Sequence, residues 1–178
     1  MTSYVALLRG INVGGHAKLS MSDLRTIFDG LGYSDVRTYI QSGNVVFRTP
    51  EKPASMAATI EARLVEVLGL AVPVVIRTGT QLASALARNP LADGTRDTGR
   101  LHVTFLATAP AAAARTGALD ADAHLPDEFR VMGREVYVHC PNGYGRTKLT
   151  NAYFERALGV AATTRTVKTV AELARMSS

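Results

Sequence analysis

The chain has 178 residues, 47% of them hydrophobic and 6% aromatic, and its 20 Lys and Arg against 15 Asp and Glu give a net charge of +5. This length allows a hydrophobic core in one domain or two small subdomains, and no apolar run is long enough to cross a membrane. A single cysteine excludes an internal disulfide, and the lack of a leader pattern before Tyr4 predicts a cytoplasmic protein. The basic excess suits an anionic partner, but so few aromatic residues disfavour broad nucleic-acid binding.

The first predicted element is an apolar strand from Val5 to Leu8 that runs into a glycine-rich loop. Glycines there allow positive φ or a close approach to a ligand, and an arginine supplies a fixed positive charge. The loop residues proposed as ligand contacts are Arg9, Asn12, Gly14, Gly15 and Lys18. An ordinary strand-to-helix turn explains the same residues, so both interpretations stand.

Five further elements complete the first half of the chain. Ser20 and Asp23 form a capping-box pattern that starts a helix, and Pro53 is suited to open the next one. The predicted elements are a helix from Ser20 to about Gly30, hairpin strands at Val36 to Ile40 and Val45 to Arg48, a helix from Pro53 to Gly69, and a strand from Val72 to Arg77.

This element order predicts an α+β fold with a ferredoxin-like βαββαβ subdomain at residues 1–78. In that topology the first two strands run in the same direction, so the loop after strand one and the turn after strand two lie at one edge of the sheet. We therefore expect Ser42, Gly43 and Asn44 to lie close to the Arg9 loop. Two polar, glycine-bearing loops at one edge favour a binding site more than either alone.

The second half repeats this order in outline. Residues 79–100 are predicted to be a linking helix, Thr80 to Arg88, followed by a polar loop, and residues 101–178 to be a second α+β subdomain. Its predicted elements are a strand at Leu101 to Leu106, a helix at Pro110 to Ala118, hairpin strands at Phe129 to Met132 and Glu135 to His139, and a helix at Leu149 to Leu158. A last short strand at Ala162 to Thr166 and a terminal helix follow this βαββα arrangement. Similarity between the halves is too slight to prove a repeat.

The second candidate site is the glycine loop at residues 141–148, which runs into a helix for which Thr147 is the predicted N-cap. Arg146 and Lys148 would then lie at the positive end of the helix dipole, where exposed cations are unfavourable by roughly 0.3 to 1 kcal/mol each. A bound phosphate or carboxylate would offset this repulsion. The loop is not a Walker motif, because Lys148 follows the hydroxyl residue instead of preceding it.

Two groups beyond this loop leave alternatives open. Asn151 and Glu155 share a polar helix stripe with Lys148, which is either part of the site or a solvated face with a Lys-to-Glu contact. Arg165, among three threonines, is either a second anion contact or an anchor for the C-terminal segment. Thr169 and Glu172 form a second capping-box pattern at the start of the terminal helix.

Other chemistry is disfavoured by the pattern of residues. Cys140 and His139 are adjacent on a strand and point to opposite faces, so a small buried thiol is favoured over a catalytic one. The four histidines lack metal-ligand spacing, and the acidic residues of the 120–128 loop are expected to be solvated. Ser42 lacks the flanking pattern of a nucleophile elbow. No metal or cofactor is predicted.

Three motifs in order resemble a bacterial family known as domain of unknown function 1697: RGINVGG, YIQSGNVVF and TKLTNAYFERALGVAATTR. The resemblance covers nearly the whole chain. It implies an α+β fold with a ferredoxin-like N-terminal part and brings no activity, cofactor or substrate. Family members often carry Asn-Trp after the arginine that matches Arg165, whereas this chain has Thr166 and Val167 there.

Taken together, the sequence predicts a protein that binds a phosphate-bearing small molecule or a nucleic-acid end through its glycine-rich basic loops. Catalysis is not assigned; if present, it would rest on anion stabilisation by Arg9 and Lys148, which suits chemistry at phosphorus. The alternative is a protein-interaction module whose strand edges recruit a partner while the glycines only make turns. The sequence predicts neither the oligomeric state nor whether the loops of the two halves share one site.

Overall fold

The structure is a computed structural model that describes residues 1–15, 18–117 and 119–178. His16, one of the four histidines considered as metal ligands, and Ala118, the predicted end of a helix, lie outside this part of the chain. Two units are distinguished by their internal contacts: Met1–Leu82 with Glu172–Ser178, and Ala83–Ala171. Across the described residues, no helix has the length and apolar character that crossing a membrane requires.

The first unit has the predicted ferredoxin-like topology. Its elements are β1 (Thr2–Leu8), α1 (Met21–Gly30), β2 (Ser34–Tyr39), β3 (Asn44–Thr49), α2 (Pro53–Leu68) and β4 (Val74–Thr78), after which α3 (Gly79–Ala87) follows. The sheet order is β2-β3-β1-β4, and all neighbouring strands are antiparallel. Ser20 caps α1 as predicted, with its hydroxyl oxygen accepting the Asp23 amide at 3.0 Å.

The second unit completes the same topology. Its elements are β5 (Leu101–Leu106), α4 (Ala112–Gly117), β6 (Glu128–Met132), β7 (Glu135–His139), α5 (Asn151–Leu158) and β8 (Ala162–Thr166), followed by α6 (Val167–Met176). The sheet order β6-β7-β5-β8 corresponds strand for strand to that of the first unit. The last strand, which the sequence left open, is therefore present, and the unit is a full βαββαβ fold rather than βαββα.

Equivalent hydrogen bonds support an internal repeat. At the end of the first strand of each unit, the Leu8 amide donates to Gly43 O at 2.8 Å, and the Leu106 amide donates to Arg134 O at 2.9 Å. Both bonds join a strand end to the turn of the unit's hairpin. The topology thus places a strand end and a hairpin turn together in each half.

A carboxylate on the second helix of each unit holds the start of the last strand. Glu61 Oε1 accepts the Val74 amide at 2.7 Å, and Glu155 Oε1 accepts the Ala162 amide at 3.0 Å. The interpretation of Glu155 as part of a solvated stripe is therefore wrong, because its carboxylate is turned toward β8.

Buried arginines occupy matching positions on the last strands. Arg77 lies opposite Val5 in the first sheet, and Arg165 lies opposite Val103 in the second. Each donates from Nη1 to the carbonyl of its preceding residue at 2.9 Å. The repeat therefore includes the side-chain geometry of these two arginines as well as the order of the strands.

The second capping-box prediction is wrong. Helix α6 begins at Val167, and the Thr166 hydroxyl accepts the Thr169 amide at 3.1 Å. The cap lies three residues earlier than predicted because β8 leads directly into the helix. Thr78 accepts the Gln81 amide at 3.2 Å in the same way at the start of α3.

Aromatic rings fill the core of the first unit. Phe47 stacks on Tyr33 with ring centroids 4.7 Å apart and meets Phe28 edge to face at 5.2 Å. Tyr33 also donates its phenol proton to Glu51 at 3.2 Å, and burial together with this carboxylate raises the pKa of Tyr33 to about 12.

The Tyr33 pKa predicts a loss of stability at alkaline pH. The unfolded chain releases the phenol proton near pH 10 while the folded state keeps it, so the free energy of unfolding should fall between pH 10 and 12, by up to roughly 1.4 kcal/mol per pH unit. Urea unfolding at pH 9, 10 and 11 should give a shallower decline for Tyr33→Phe than for the wild type. Equal slopes for the two proteins would contradict this assignment.

Candidate functional site

The two predicted loops of the first unit adjoin at one edge of its sheet. The Leu8 amide bonds Gly43 O, and Asn12 Nδ2 donates to Gln41 O at 2.8 Å. Residues far apart in the sequence therefore meet because β1 and β2 run in the same direction. An open depression of about 510 Å³ lies beside them, and exposed Lys18 is on its rim.

Asn12 holds the glycine-rich loop together. Its Nδ2 also donates to Leu19 O at 2.9 Å, and its Oδ1 accepts the Leu19 amide at 2.9 Å. Asn12 itself adopts the left-handed region with φ of 55°. Both ends of its carboxamide thus bond the protein, which gives Asn12 an architectural role that the sequence interpretation missed.

The Ser42 to Asn44 turn is also held by hydrogen bonds and close packing within the protein. Buried Asn44 donates from Nδ2 to Tyr39 O at 3.0 Å and to Ser42 Oγ at 2.9 Å. Gly43 has φ of +77°, and a Cβ placed there would lie 2.9 Å from Leu8 Cβ and 3.2 Å from Ile11 Cβ. Turn chemistry and close approach account for these residues without a ligand.

The surface around this edge combines the cations Arg9 and Lys18 with exposed apolar side chains. Val13 and Ile40 are 62% and 50% exposed, and Ile40 has a φ of 49°, which is unusual for a β-branched residue. Arg9 is half-buried, and its amide donates to Pro73 O at 2.9 Å. Gly14 and Gly15 have φ of 61° and 80° in the part of the loop that faces solvent.

The basic loop of the second unit borders a cavity of about 300 Å³. One wall is formed by residues 123–127, which precede β6, and the other by the loop after β7. Arg146 and Lys148 both line it, together with Asn142 and Gly143. Two cations that the sequence singled out therefore lie at one concave site.

Thr147 does not cap the helix as predicted. Helix α5 begins at Asn151 with Thr150 as its N-cap, whose hydroxyl oxygen accepts the Tyr153 amide at 3.2 Å. The Thr147 hydroxyl instead donates to Asp127 Oδ2 at 2.6 Å and accepts the Leu149 amide at 3.0 Å. Arg146 and Lys148 thus precede the first turn of α5: Arg146 ends a short 3-10 helix, Tyr144–Arg146, and Lys148 lies between it and α5.

Aromatic packing supports the wall that precedes β6. The His124 ring meets Tyr153 edge to face with centroids 4.7 Å apart and lies 6.3 Å from the Phe129 ring. Phe154, fully buried, contacts both of those rings, at 5.2 Å from Tyr153 and 5.6 Å from Phe129. The cavity wall therefore rests on the core of the second unit.

Asn151 and Arg165 have structural contacts away from the cavity lining. Asn151 Oδ1 accepts the Thr164 hydroxyl at 2.6 Å, and Thr164 Oγ1 lies 2.7 Å from Thr104 Oγ1. Arg165 is 8% exposed, donates from Nη1 to Thr163 Oγ1 at 2.7 Å, and has its pKa lowered to about 10 by burial. The Asn151 bond therefore joins α5 to β8, whereas the described Arg165 bonds lie within β8.

The remaining candidate groups have local partners. Asp120 Oδ1 accepts the amides of Asp122 and Ala123, and Glu128 pairs with Arg96 at 2.9 Å. Cys140 is buried, which raises the pKa of its thiol. Among the described residues, no three His, Cys, Asp or Glu side chains gather as a potential metal site.

The class of protein follows from the two βαββαβ units: an α+β protein built from a repeated ferredoxin-like fold, with a basic cavity in its second unit. The family model described as protein of unknown function (DUF1697) matches residues 1–137, and the chain belongs to this family. The first two motifs of the sequence lie inside the matched range, whereas the basic loop at residues 141–148 lies beyond it.

The fold is shared along its whole length with a solved structure. The conserved bacterial protein SP0830 from Streptococcus pneumoniae is 24% identical to this chain, with 99% of each chain covered and a TM-score of 0.71. Likeness at this level of identity shows the fold alone. No curated protein is significantly similar to the chain.

Proposed function

We propose that the protein binds a phosphate-bearing ligand, either a small molecule or a nucleic-acid end, at the cavity lined by Arg146 and Lys148. The observation that carries this proposal is that both cations line one concave site of about 300 Å³. Charged donors bind phosphate oxygens more strongly than neutral donors do, and arginine can offer two parallel N–H groups. No reaction is assigned to the site.

The first unit contributes a second, separate part of the proposal. Lys18 and the solvent-facing backbone of Gly14 and Gly15 are proposed anion contacts at the depression beside Asn12. Consecutive glycines with positive φ can turn amide groups toward an anion. Arg9 and Arg165 stay predicted ligand contacts. A cytoplasmic location stays a prediction.

Isothermal titration with inorganic phosphate and nucleoside phosphates tests the main site. Lys148→Ala should weaken phosphate binding about 10- to 100-fold, since a hydrogen bond to a charged group is lost. Lys168→Ala is the matched control, because Lys168 is an exposed lysine of the same unit that does not line the cavity. Equal affinity in all three proteins would refute the proposed site.

If the ligand is a nucleic-acid end, binding should also depend on salt. Affinity for a 5′-phosphorylated oligonucleotide should fall steeply with salt, and Arg146→Ala should reduce the salt slope by about one phosphate contact. An affinity for the oligonucleotide that does not change with salt would leave only the small-molecule form.

A protein-interaction role is the second candidate, and it is favoured by exposed Val13 and Ile40 beside the glycine-rich loop. Apolar side chains of this kind are common in contacts with partners. A double Val13→Ser, Ile40→Ser variant should lose a protein that co-purifies with the wild type while its phosphate binding stays unchanged. Retention of every co-purifying protein would remove this candidate.

A further inference from the structure

We infer that the ligand of the Arg146 and Lys148 cavity carries hydroxyl groups beside its phosphate, as a sugar phosphate or a ribonucleotide does, and that Asp127 selects for them. This inference rests on the proposed function, since it concerns the same site. It assigns to Asp127 a role in specificity rather than in affinity for phosphate.

The composition of the cavity wall is the first observation. Asp127 lines the same cavity as the two cations and brings a carboxylate to a site proposed for an anion. A carboxylate near a bound phosphate repels it, so a site for phosphate alone gains nothing from one. A ligand with hydroxyl donors reverses this balance, because an ionised carboxylate accepts several hydrogen bonds.

The rigid placement of Asp127 is the second observation. Its Oδ2 accepts the Thr147 hydroxyl at 2.6 Å, and its amide donates to His124 O at 2.9 Å. The next residue, Glu128, begins β6 and lies opposite His139 of β7. Asp127 is therefore fixed from both sides, and its second carboxylate oxygen can accept from a ligand without rearrangement of the chain.

Two further polar side chains suit a site for a hydroxylated ligand. His124 and Asn142 also line the cavity, on opposite walls. An imidazole and a carboxamide each donate and accept hydrogen bonds, as sugar hydroxyls do. The wall near His124 also holds Leu125, which is 66% exposed, and Pro126, so an apolar ring face has a surface to contact.

The ligand side of the test uses the wild-type protein alone. Calorimetric titration compares inorganic phosphate, propyl phosphate, ribose 5-phosphate and adenosine monophosphate. Ribose 5-phosphate should bind about tenfold more tightly than propyl phosphate, which has similar size near the phosphate but no further hydroxyl groups. Equal affinities for these two compounds would overturn the inference. Tighter binding of adenosine monophosphate than of ribose 5-phosphate would identify the ligand as a nucleotide, and equal binding would identify it as a sugar phosphate. Both results support the inference.

Two protein variants test the role of Asp127, one at Asp127 itself and one at its hydrogen-bond partner Thr147. Asp127→Asn should bind inorganic phosphate at least as tightly as the wild type does, while the preference for ribose 5-phosphate over propyl phosphate falls to less than about threefold. Thr147→Val removes one of the two bonds that fix Asp127 but keeps the carboxylate, so the preference should weaken yet stay larger than in Asp127→Asn. A preference that survives in Asp127→Asn, or disappears equally in both variants, would show that Asp127 only anchors the loop.

The outcomes separate this inference from the proposed function. Phosphate binding that depends on Lys148 but shows no preference for hydroxylated ligands would refute the role of Asp127 and leave the anion site intact. Failure of every phosphate compound to bind would refute both. Should Asp127→Asn fail to fold, the wild-type comparison of ribose 5-phosphate with propyl phosphate still decides the inference.

Discussion

Replacing Gly43 with alanine is expected to destabilise the protein by about 2 to 5 kcal/mol. A left-handed backbone costs an alanine about 1 to 2 kcal/mol, and overpacking of a tight core adds about 1 to 3 kcal/mol. Gly43 has φ of +77°, and its new methyl group would lie 2.9 Å from Leu8 Cβ and 3.2 Å from Ile11 Cβ. Both neighbours are fully buried and have no room to withdraw.

A matched control in the same unit separates the two effects. Gly10 has φ of +72°, and a Cβ placed there meets nothing within 4 Å. Gly10→Ala should therefore show only the backbone effect, about 1 to 2 kcal/mol. Urea unfolding of both variants gives the comparison. Equal losses for Gly10→Ala and Gly43→Ala would show that the strand end and the hairpin turn are not closely packed.

Replacing Phe154 with alanine is expected to lower the free energy of unfolding by about 3 to 5 kcal/mol, as large truncations in a close-packed core do. Phe154 is fully buried and contacts Phe129 and Tyr153 through edge-to-face ring pairs. These rings also support His124 at the cavity wall. Phosphate affinity should therefore decrease with stability, although Phe154 itself does not line the cavity.

Phe154→Leu is the control for this experiment. Leucine fills most of the space, so the loss should be about 1 to 2 kcal/mol, with phosphate affinity close to that of the wild type. Chemical unfolding and calorimetry on the same preparations measure both effects. A stable Phe154→Ala protein would mean that the second unit does not depend on this aromatic cluster.

The fold could be predicted from the sequence because its apolar periodicity agrees with its turn residues. The Ser20 cap, Pro53 at the start of α2 and Gly69 at its end each mark a boundary that the structure confirms. The resulting element order fixes the topology, and the topology alone predicted that the Arg9 loop would adjoin Gly43. The sequence predicted the repeated element order but could not prove a repeat, because the few matching residues, such as Glu61 and Glu155, become recognisable only through their equivalent hydrogen bonds.

The candidate site was predicted only in part, since side-chain partners from other elements decide the local details. Thr147 is a residue type that favours the N-cap position, but its hydroxyl donates to Asp127. Thr150 is the N-cap of α5 instead. Asp127 itself was assigned to a solvated loop. The register of the second hairpin indicates its position at the cavity. Glu128 pairs with His139, and this pairing places Asp127 beside the loop after β7.

Titration of isotope-labelled protein with inorganic phosphate, followed by amide chemical shifts in NMR spectra, tests the anion site most directly. Saturable shifts should concentrate at residues 123–127 and 142–148 and should vanish in the Arg146→Ala, Lys148→Ala double variant. Shifts spread evenly over exposed lysines and arginines, or the same shifts in the double variant, would contradict the account.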